Sequence, residues 1–279
     1  MFPGNFEYVR AGDLKEALTL LGEEDAKALA GGHSLIPLLK QRLAEPSKLV
    51  DISGLSELKG ISVDGGKARV GALTTHREVA SSDALAGAAA ILPEAAAKIG
   101  DPQVRNRGTV GGNIAHADPA SDLPAVLLAL EAEIHMVGPQ GERSVKADGF
   151  FSGLMETDLN EREVLTAVSF GTLSSGDGSA YLKFEHPASG YAICGAAVVI
   201  RGGKVRLAFN GVAPVPFAAA SVSEALSSGD LSDGAIDAAM ANLTIEDGLS
   251  DVHASAEYRL HLAKVFGGRA VRAARDRRG

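Results

Sequence analysis

Two glycine-rich stretches carry the residue types best suited to chemistry. The first, Ala30-Gly31-Gly32-His33-Ser34-Leu35, stands between a short apolar run and a helical pattern. Paired glycines let the backbone turn tightly and bring N–H groups close to a ligand. The helix start that follows adds unsatisfied donors and the positive end of a dipole. Such a turn can receive phosphate oxygens, with the Ser34 hydroxyl as a further donor. Read alone, it is more often a tight turn than a phosphate site. The second stretch, Arg107-Gly108-Thr109-Val110-Gly111-Gly112-Asn113-Ile114, offers a similar array plus the Thr109 and Asn113 side chains. Neither contains the three spaced glycines of a dinucleotide fingerprint or the lysine of a P-loop. Two donor-rich loops in one domain suit a diphosphate held from two sides. Dipoles would meet most of its charge, because the loops hold few basic side chains. Shortly after comes Ala117-Asp118-Pro119-Ala120-Ser121-Asp122. Ser121 or Asp122 is placed to cap the next helix. A carboxylate there can also accept bonds from sugar hydroxyls, and both roles can hold together.

Other chemistries find little support. The histidines, among them His76, His116, His135, His253 and His261, lack a metal-ligand spacing such as H-E-x-x-H. No G-x-S-x-G elbow is present. The single cysteine, Cys194, excludes an internal disulfide and cannot hold an iron–sulfur cluster, which takes about four Cys ligands. A formal charge of −8 argues against general nucleic-acid binding. The exception is the tail, where Arg269, Arg272, Arg275, Arg277 and Arg278 crowd together. That cluster reads as a solvated helix end, or alternatively as a docking contact for an acidic partner. No apolar run is long enough to span a bilayer, and MFPGNFEYVR is not a signal peptide, so the cytoplasm is the default location.

The 279 residues suffice for one large domain or two ordinary ones, and 46% apolar content can bury a sizeable core. Asp13 and Glu16 form a capping-box pattern before Leu14, Ala17, Leu18 and Leu21 at helical spacing. Ser34 is positioned to cap a helix through Leu39, with Pro37 in its first turn. Residues 49–52 read as a strand, and 61–63 with 68–70 read as a hairpin across Asp64-Gly65-Gly66. Helices are expected at 74–81, 85–99 and 123–130, and strands at 133–137 and 164–170. Residues 100–113 read as a polar loop. Thr172 to Ser179 has linker composition, which places a boundary there. Strands are expected beyond it at 181–185, 194–201 and 205–211, followed by helices near 218–228, 232–243 and 254–274. Strands followed by helices suggest a small α+β domain.

With these motifs assembled, the sequence resembles the FAD-binding medium subunits of molybdenum hydroxylases, of the carbon monoxide dehydrogenase medium-chain type. The matching residues are Ala30 to Leu35, Gln103 to Asn113, Ala117 to Asp122, and Tyr181-Leu182-Lys183-Phe184. The likeness covers nearly the whole chain. It implies an α+β, vanillyl-alcohol-oxidase-like (PCMH-type) FAD-binding domain over residues 1–173, made of two subdomains split near residue 55. A small C-terminal domain over 179–279, a three-stranded antiparallel sheet plus helices, would cover the flavin. By motif position, Ala30, Gly31, Gly32, His33, Ser34 and Leu35 would line the diphosphate from one side. Thr109, Val110, Gly111, Gly112 and Asn113 would line it from the other. Ser121 and Asp122 would meet the sugar portion, and Lys27 and Lys183 would lie near the cofactor. In the family, Gly-Asp-Phe-Ala often follows the Tyr-Leu-Lys-Phe strand. Here the stretch is Glu185-His186-Pro187-Ala188-Ser189-Gly190-Tyr191-Ala192, with Tyr191 at the aromatic position beside the isoalloxazine.

The resemblance implies an electron-transfer flavoprotein subunit. Partner chains would hold the molybdopterin-molybdenum and 2Fe–2S centres, as a dimer of heterotrimers. Electrons would arrive from the iron–sulfur subunit and leave to an external acceptor. Two alternatives stand beside it. A self-contained flavin oxidoreductase of the same fold would need an acid or base over the flavin, for which His186 and Tyr191 are the candidates. A nucleotide-binding module without flavin chemistry would bind ADP as well as FAD.

Overall fold

The computed structural model describes residues 2–279. The N-terminal part is a small parallel sheet. Strands β1 (Glu7–Arg10), β2 (Ala26–Leu29) and β3 (Lys48–Asp51) lie in the order β1-β3-β2, linked by helices α1 (Leu14–Leu20) and α2 (Leu35–Gln41). Asp13 caps α1 by accepting from the Glu16 amide, and Glu16 accepts in return from Gly12. The Ser34 cap does not form: its side chain makes no cap bond to α2.

The second part is built on a five-stranded antiparallel sheet. Its strands are β4 (Ile61–Asp64), β5 (Lys67–Gly71), β6 (Glu133–Gly138), β7 (Gly141–Lys146) and, beyond the short pair β8 (Phe151–Gly153) and β9 (Glu156–Thr157), β10 (Val164–Gly171). Their order is β4-β5-β10-β6-β7. Gly65 and Gly66 turn the β4–β5 hairpin at φ 55° and 76°, where L-residues are strained. Between β5 and β6 run helices α3 (His76–Ala80), α4 (Asp83–Ala89), α5 (Ile91–Ala97), α6 (Pro102–Arg107), α7 (Val110–His116) and α8 (Asp122–Ala129). Thr75 and Glu78 close a capping box on α3. Two expectations fail here. The helix foreseen over 85–99 breaks into α4 and α5 at Ala90. The stretch read as a loop from Gly100 to Asn113 contains α6 and the start of α7. Its composition concealed the caps: Asp101 accepts from Val104 N with Pro102 in the first turn, and Thr109 accepts from Gly112 N.

The C-terminal part is a sheet with α-helices on one face. Strands β11 (Gly178–Glu185), β12 (Ala192–Arg201), β13 (Lys204–Asn210) and β14 (Phe217–Ala218) pair in sequence order. The sheet is therefore four-stranded, not three-stranded; β14 is too short to leave a periodic signal. Helices α9 (Ala220–Ser228), α10 (Asp233–Ala241) and α11 (Ala256–Asp276) follow. Strand β12 is buried along both faces, and its side chains alternate between two cores. Cys194, Ala196, Val198 and Ile200 pack with the C-terminal helices, while Ala197 and Val199 face the core of the preceding part. Helix α8 fits this position because every one of its residues is buried, so it has no solvent face to spare. It packs against α5 on one side and β12 and β13 on the other. The apolar core is thus continuous across the linker.

The basic tail does not project into solvent as a free cluster. Arg272 and Arg275 bond Asp233, and Arg277 reaches Glu94 at 2.8 Å and the Ser179 carbonyl. Most of the tail cations are therefore used within the chain.

Residues 141–163 are held down by Arg143, which bonds both Glu163 oxygens at 2.7 Å and Asp158 at 2.6 Å. That guanidinium holds the Glu163 carboxyl down, at about 2 against an ordinary 4.5. The folded form gives up this proton more readily than the unfolded chain. The contribution is therefore present above pH 4.5 and is lost as pH falls toward 2. After screening it should amount to about 1 kcal/mol. In urea titrations, the gap between wild type and Glu163→Gln is expected to close across that window. A gap that persists at pH 2 would contradict the assignment.

Candidate cofactor site

A cleft of about 560 Å³ opens between the first two sheets and reaches the C-terminal part at Ser189, Gly190 and Tyr191. The Ala30–Leu35 turn and the Thr109–Asn113 segment form facing walls. They also touch each other. A Cβ added at Gly31 would lie 2.1 Å from the Arg107 carbonyl oxygen, so glycine is what lets the two backbones meet.

The two turns differ in the donors they leave open. No described residue accepts from the amides of Gly31, Gly32, His33, Ser34 or Leu35. Gly32 makes this row possible by sitting at φ 78°. A run of amides with no protein partner, opening on a cleft, is an anion-binding arrangement. The second turn is otherwise. Val110 N donates to Thr74 O at 3.0 Å and Gly111 N to Ala72 O at 2.7 Å. Gly112 N donates to Thr109 Oγ1 and Asn113 N to Thr109 O. The expectation that both turns offer rows of amides is corrected: the first leaves five open, whereas in the second those of Val110, Gly111, Gly112 and Asn113 are taken. The second turn presents side chains instead. The Thr109 hydroxyl accepts the cap bond and keeps its own proton to donate. Asn113 Oδ1 accepts from the Ser121 hydroxyl at 2.6 Å, which leaves Nδ2 to donate.

Most of the expected residues line the cleft: Lys27, Ala30 to Leu35, Thr109, Gly111, Gly112, Asn113, Ser121, Asp122 and Tyr191. Two do not. Val110 is fully buried in the core and its amide is taken by Thr74, so it cannot contact a ligand. Lys183 stands behind the wall, with its side chain 2% exposed. Its ammonium donates to Lys98 O at 2.7 Å, Gly190 O at 2.6 Å and Asp122 Oδ2 at 3.1 Å. It therefore ties the end of α5, the start of α8 and the loop carrying Tyr191 into one frame. Asp122 is also the acceptor of the buried Tyr181 hydroxyl at 2.5 Å. Burial pushes the Asp122 carboxyl up to about 6, against the opposing pull of Lys183 and Tyr181. Ser121 occupies the cap position of α8 but turns its hydroxyl to Asn113, so it does not cap by its side chain.

Sequence reasoning passed over other lining residues. Met155 and Leu159 come from the excursion around β8 and β9, and Ile99 from the end of α5. Nothing in their own residue types marks them. His76 and His116 also line the cleft. His76 could have been noticed as the residue just after the Thr75 cap. Among the described residues no group of three or more His, Cys, Asp or Glu could hold a metal. No helix among them is long and apolar enough to cross a membrane.

Residues 4–171 match the family described as the FAD binding domain in molybdopterin dehydrogenase. Residues 179–274 match the CO dehydrogenase flavoprotein C-terminal domain. The carbon monoxide dehydrogenase medium chain of Hydrogenophaga pseudoflava is 39% identical over 98% of each chain. The glyceraldehyde dehydrogenase medium chain of Sulfolobus acidocaldarius is 38% identical over 95% of this chain and 97% of that one. The solved structure of carbon monoxide dehydrogenase from Hydrogenophaga pseudoflava superposes over 100% of both chains, with a TM-score of 0.94 and 40% identity.

Proposed function

The chain belongs to the FAD-binding medium subunits of carbon monoxide dehydrogenase-type molybdenum hydroxylases, and from that premise we propose that it is the electron-transferring flavoprotein subunit of a three-subunit oxidoreductase. The observation that carries this reading is the row of partnerless amides from Gly31 to Leu35 facing Thr109 and Asn113 across the cleft. Uncharged donors on both sides suit the diphosphate of FAD.

Bound FAD supplies the redox chemistry, between a 2Fe–2S subunit that delivers electrons and an external acceptor that removes them. The chain's own residues bind and orient. The Gly31–Leu35 amides, with the Thr109 hydroxyl and Asn113 amide opposite, hold the diphosphate. Asp122 and Ser121 face the sugar-alcohol portion. Lys183 ties Asp122 to the Gly190 carbonyl and so fixes the loop that carries Tyr191. Met155 and Leu159 add apolar side chains to the lining of the cleft. The division of labour follows residues 1–173 for the cofactor and 179–279 for its cover. The metal centres lie in partner chains, arranged as a dimer of heterotrimers in the cytoplasm.

Purification of the natural complex tests the reading. The expected preparation is yellow, releases FAD on denaturation, and contains molybdenum, iron and two further polypeptides. A colourless chain at saturating FAD, or substrate turnover by this chain alone, would overturn it.

A further inference from the structure

His76 is not explained by the fold. The residue is 3% exposed, yet it belongs to the lining of the cleft. Its Nδ1 is sealed from solvent and has no hydrogen-bond partner. An imidazole buried in this way must leave at least one nitrogen unsatisfied unless something else meets the ring.

The position of the ring is informative. His76 N donates to Gly108 O at 3.0 Å, which clips the start of α3 to the second turn. The Cδ2–Nε2 edge of the ring lies against Gly108: a Cβ there would be 2.8 Å from Cδ2 and 3.0 Å from Nε2. The adjoining residue, Arg107, is the one whose carbonyl meets Gly31 of the first turn. The ring thus lies beneath the seam where the two glycine turns join. It is beside a second turn whose amides at Val110, Gly111, Gly112 and Asn113 are all taken by the protein.

The ring is also uncharged. Burial, reinforced by Arg105 and His33, holds its pKa down to about 4. At neutral pH the imidazole carries one proton. A buried N–H without a partner is rarer than an unsatisfied acceptor, so the sealed Nδ1 is best left as the lone pair. The proton then sits on Nε2, on the edge turned toward the seam.

Resting on the FAD reading above, we infer that His76 is a hydrogen-bond donor to the diphosphate of the bound nucleotide, through Nε2, on the side where the amides of Val110 to Asn113 are taken by the protein.

The test compares His76→Leu and His76→Gln in the full-length chain. Affinity is measured by competition for FAD, ADP and riboflavin. Leucine keeps the bulk and removes the donor; the glutamine amide can return a donor near the Nε2 position. The expected result is about a tenfold loss for both FAD and ADP in the leucine variant, the size of one lost hydrogen bond. Riboflavin, which has no diphosphate, should be unaffected, and glutamine should recover most of the loss. Gly108→Ala gives a second route should the leucine variant fold poorly. It presses on the Cδ2–Nε2 edge without altering the ring, and is expected to weaken ADP and spare riboflavin. The inference is overturned if leucine binds FAD and ADP as wild type does. It is equally overturned if glutamine is as weak as leucine, or if riboflavin weakens in step with ADP. A wild-type chain that takes up neither FAD nor ADP would defeat the cofactor assignment itself, a result distinct from any of these.

Discussion

A Gly31→Ala chain is expected to lose FAD almost completely, although only one methyl group is added. The added Cβ would lie 2.1 Å from Arg107 O, 2.8 Å from Arg107 C and 3.1 Å from Gly108 Cα. All three are backbone atoms of the opposing turn, so no side chain can rotate away. The turns must separate, and the amide row then moves off the Thr109 and Asn113 side chains that face it. Overpacking of this kind costs about 1–3 kcal/mol of stability. For a chain of this length that corresponds to a fall in Tm of about 2–4 °C per kcal/mol. The loss of cofactor should be larger, at least about 100-fold in Kd or ~3 kcal/mol. Gly112 supplies the comparison. It is exposed, and a Cβ there would meet only Thr109 Oγ1 at 2.9 Å before Ala30 Cβ at 4.0 Å. Gly112→Ala should disturb the α7 cap by about 1 kcal/mol and weaken FAD far less than Gly31→Ala does. Ultrafiltration of each purified variant against labelled FAD checks the order. Equal retention by the Gly31 variant and wild type would show that the seam between the turns is not where the cofactor is held.

Lys183→Met should be the most destabilising single change in the neighbourhood. It leaves Asp122, 4% exposed, with its charge buried and only the Tyr181 hydroxyl as a close donor. It also strips the Lys98 and Gly190 carbonyls of their donor. Removing one partner of a buried ion pair costs about 3–5 kcal/mol. The double variant Lys183→Met with Asp122→Leu should recover more than half of this, because no charge is then stranded. The pH dependence has a definite sign. Without Lys183 the buried carboxyl holds its proton to still higher pH, whereas the unfolded chain releases it near 3.8. The folded variant therefore binds more protons than the unfolded one in between, so its stability rises as pH falls. The deficit relative to wild type should be smaller at pH 5 than at pH 8. Strictly additive losses in the double variant, measured by chemical denaturation, would show that the two groups do not interact.

Lys183 also shows how the site depends on long-range contacts. Its neighbours Lys98, Asp122 and Gly190 come from separate elements, and nothing in the Tyr-Leu-Lys-Phe stretch indicates which of them it joins. The helix caps behave differently. Asp13, Thr75, Asp101 and Thr109 all accept from an amide three residues on, and this is a local event written in local sequence. Those at Asp101 and Thr109 went unread because glycine and polar residues around them masked two short helices.

The sequence by itself determined many of the strands and helices, the two glycine turns and, by resemblance, the family. Burial periodicity, caps and turn glycines act over a few residues, so they survive in a one-dimensional reading. Tertiary structure decided which donors remain open. Gly111 looks like Gly31 in sequence, yet its amide is taken by Ala72 and its Cα is pressed on that residue, while the amides from Gly31 to Leu35 are left bare. The physical reason is that a backbone N–H bonds to whichever carbonyl packing brings to it. For the second turn those are Thr74 and Ala72, supplied by chain that lies well upstream.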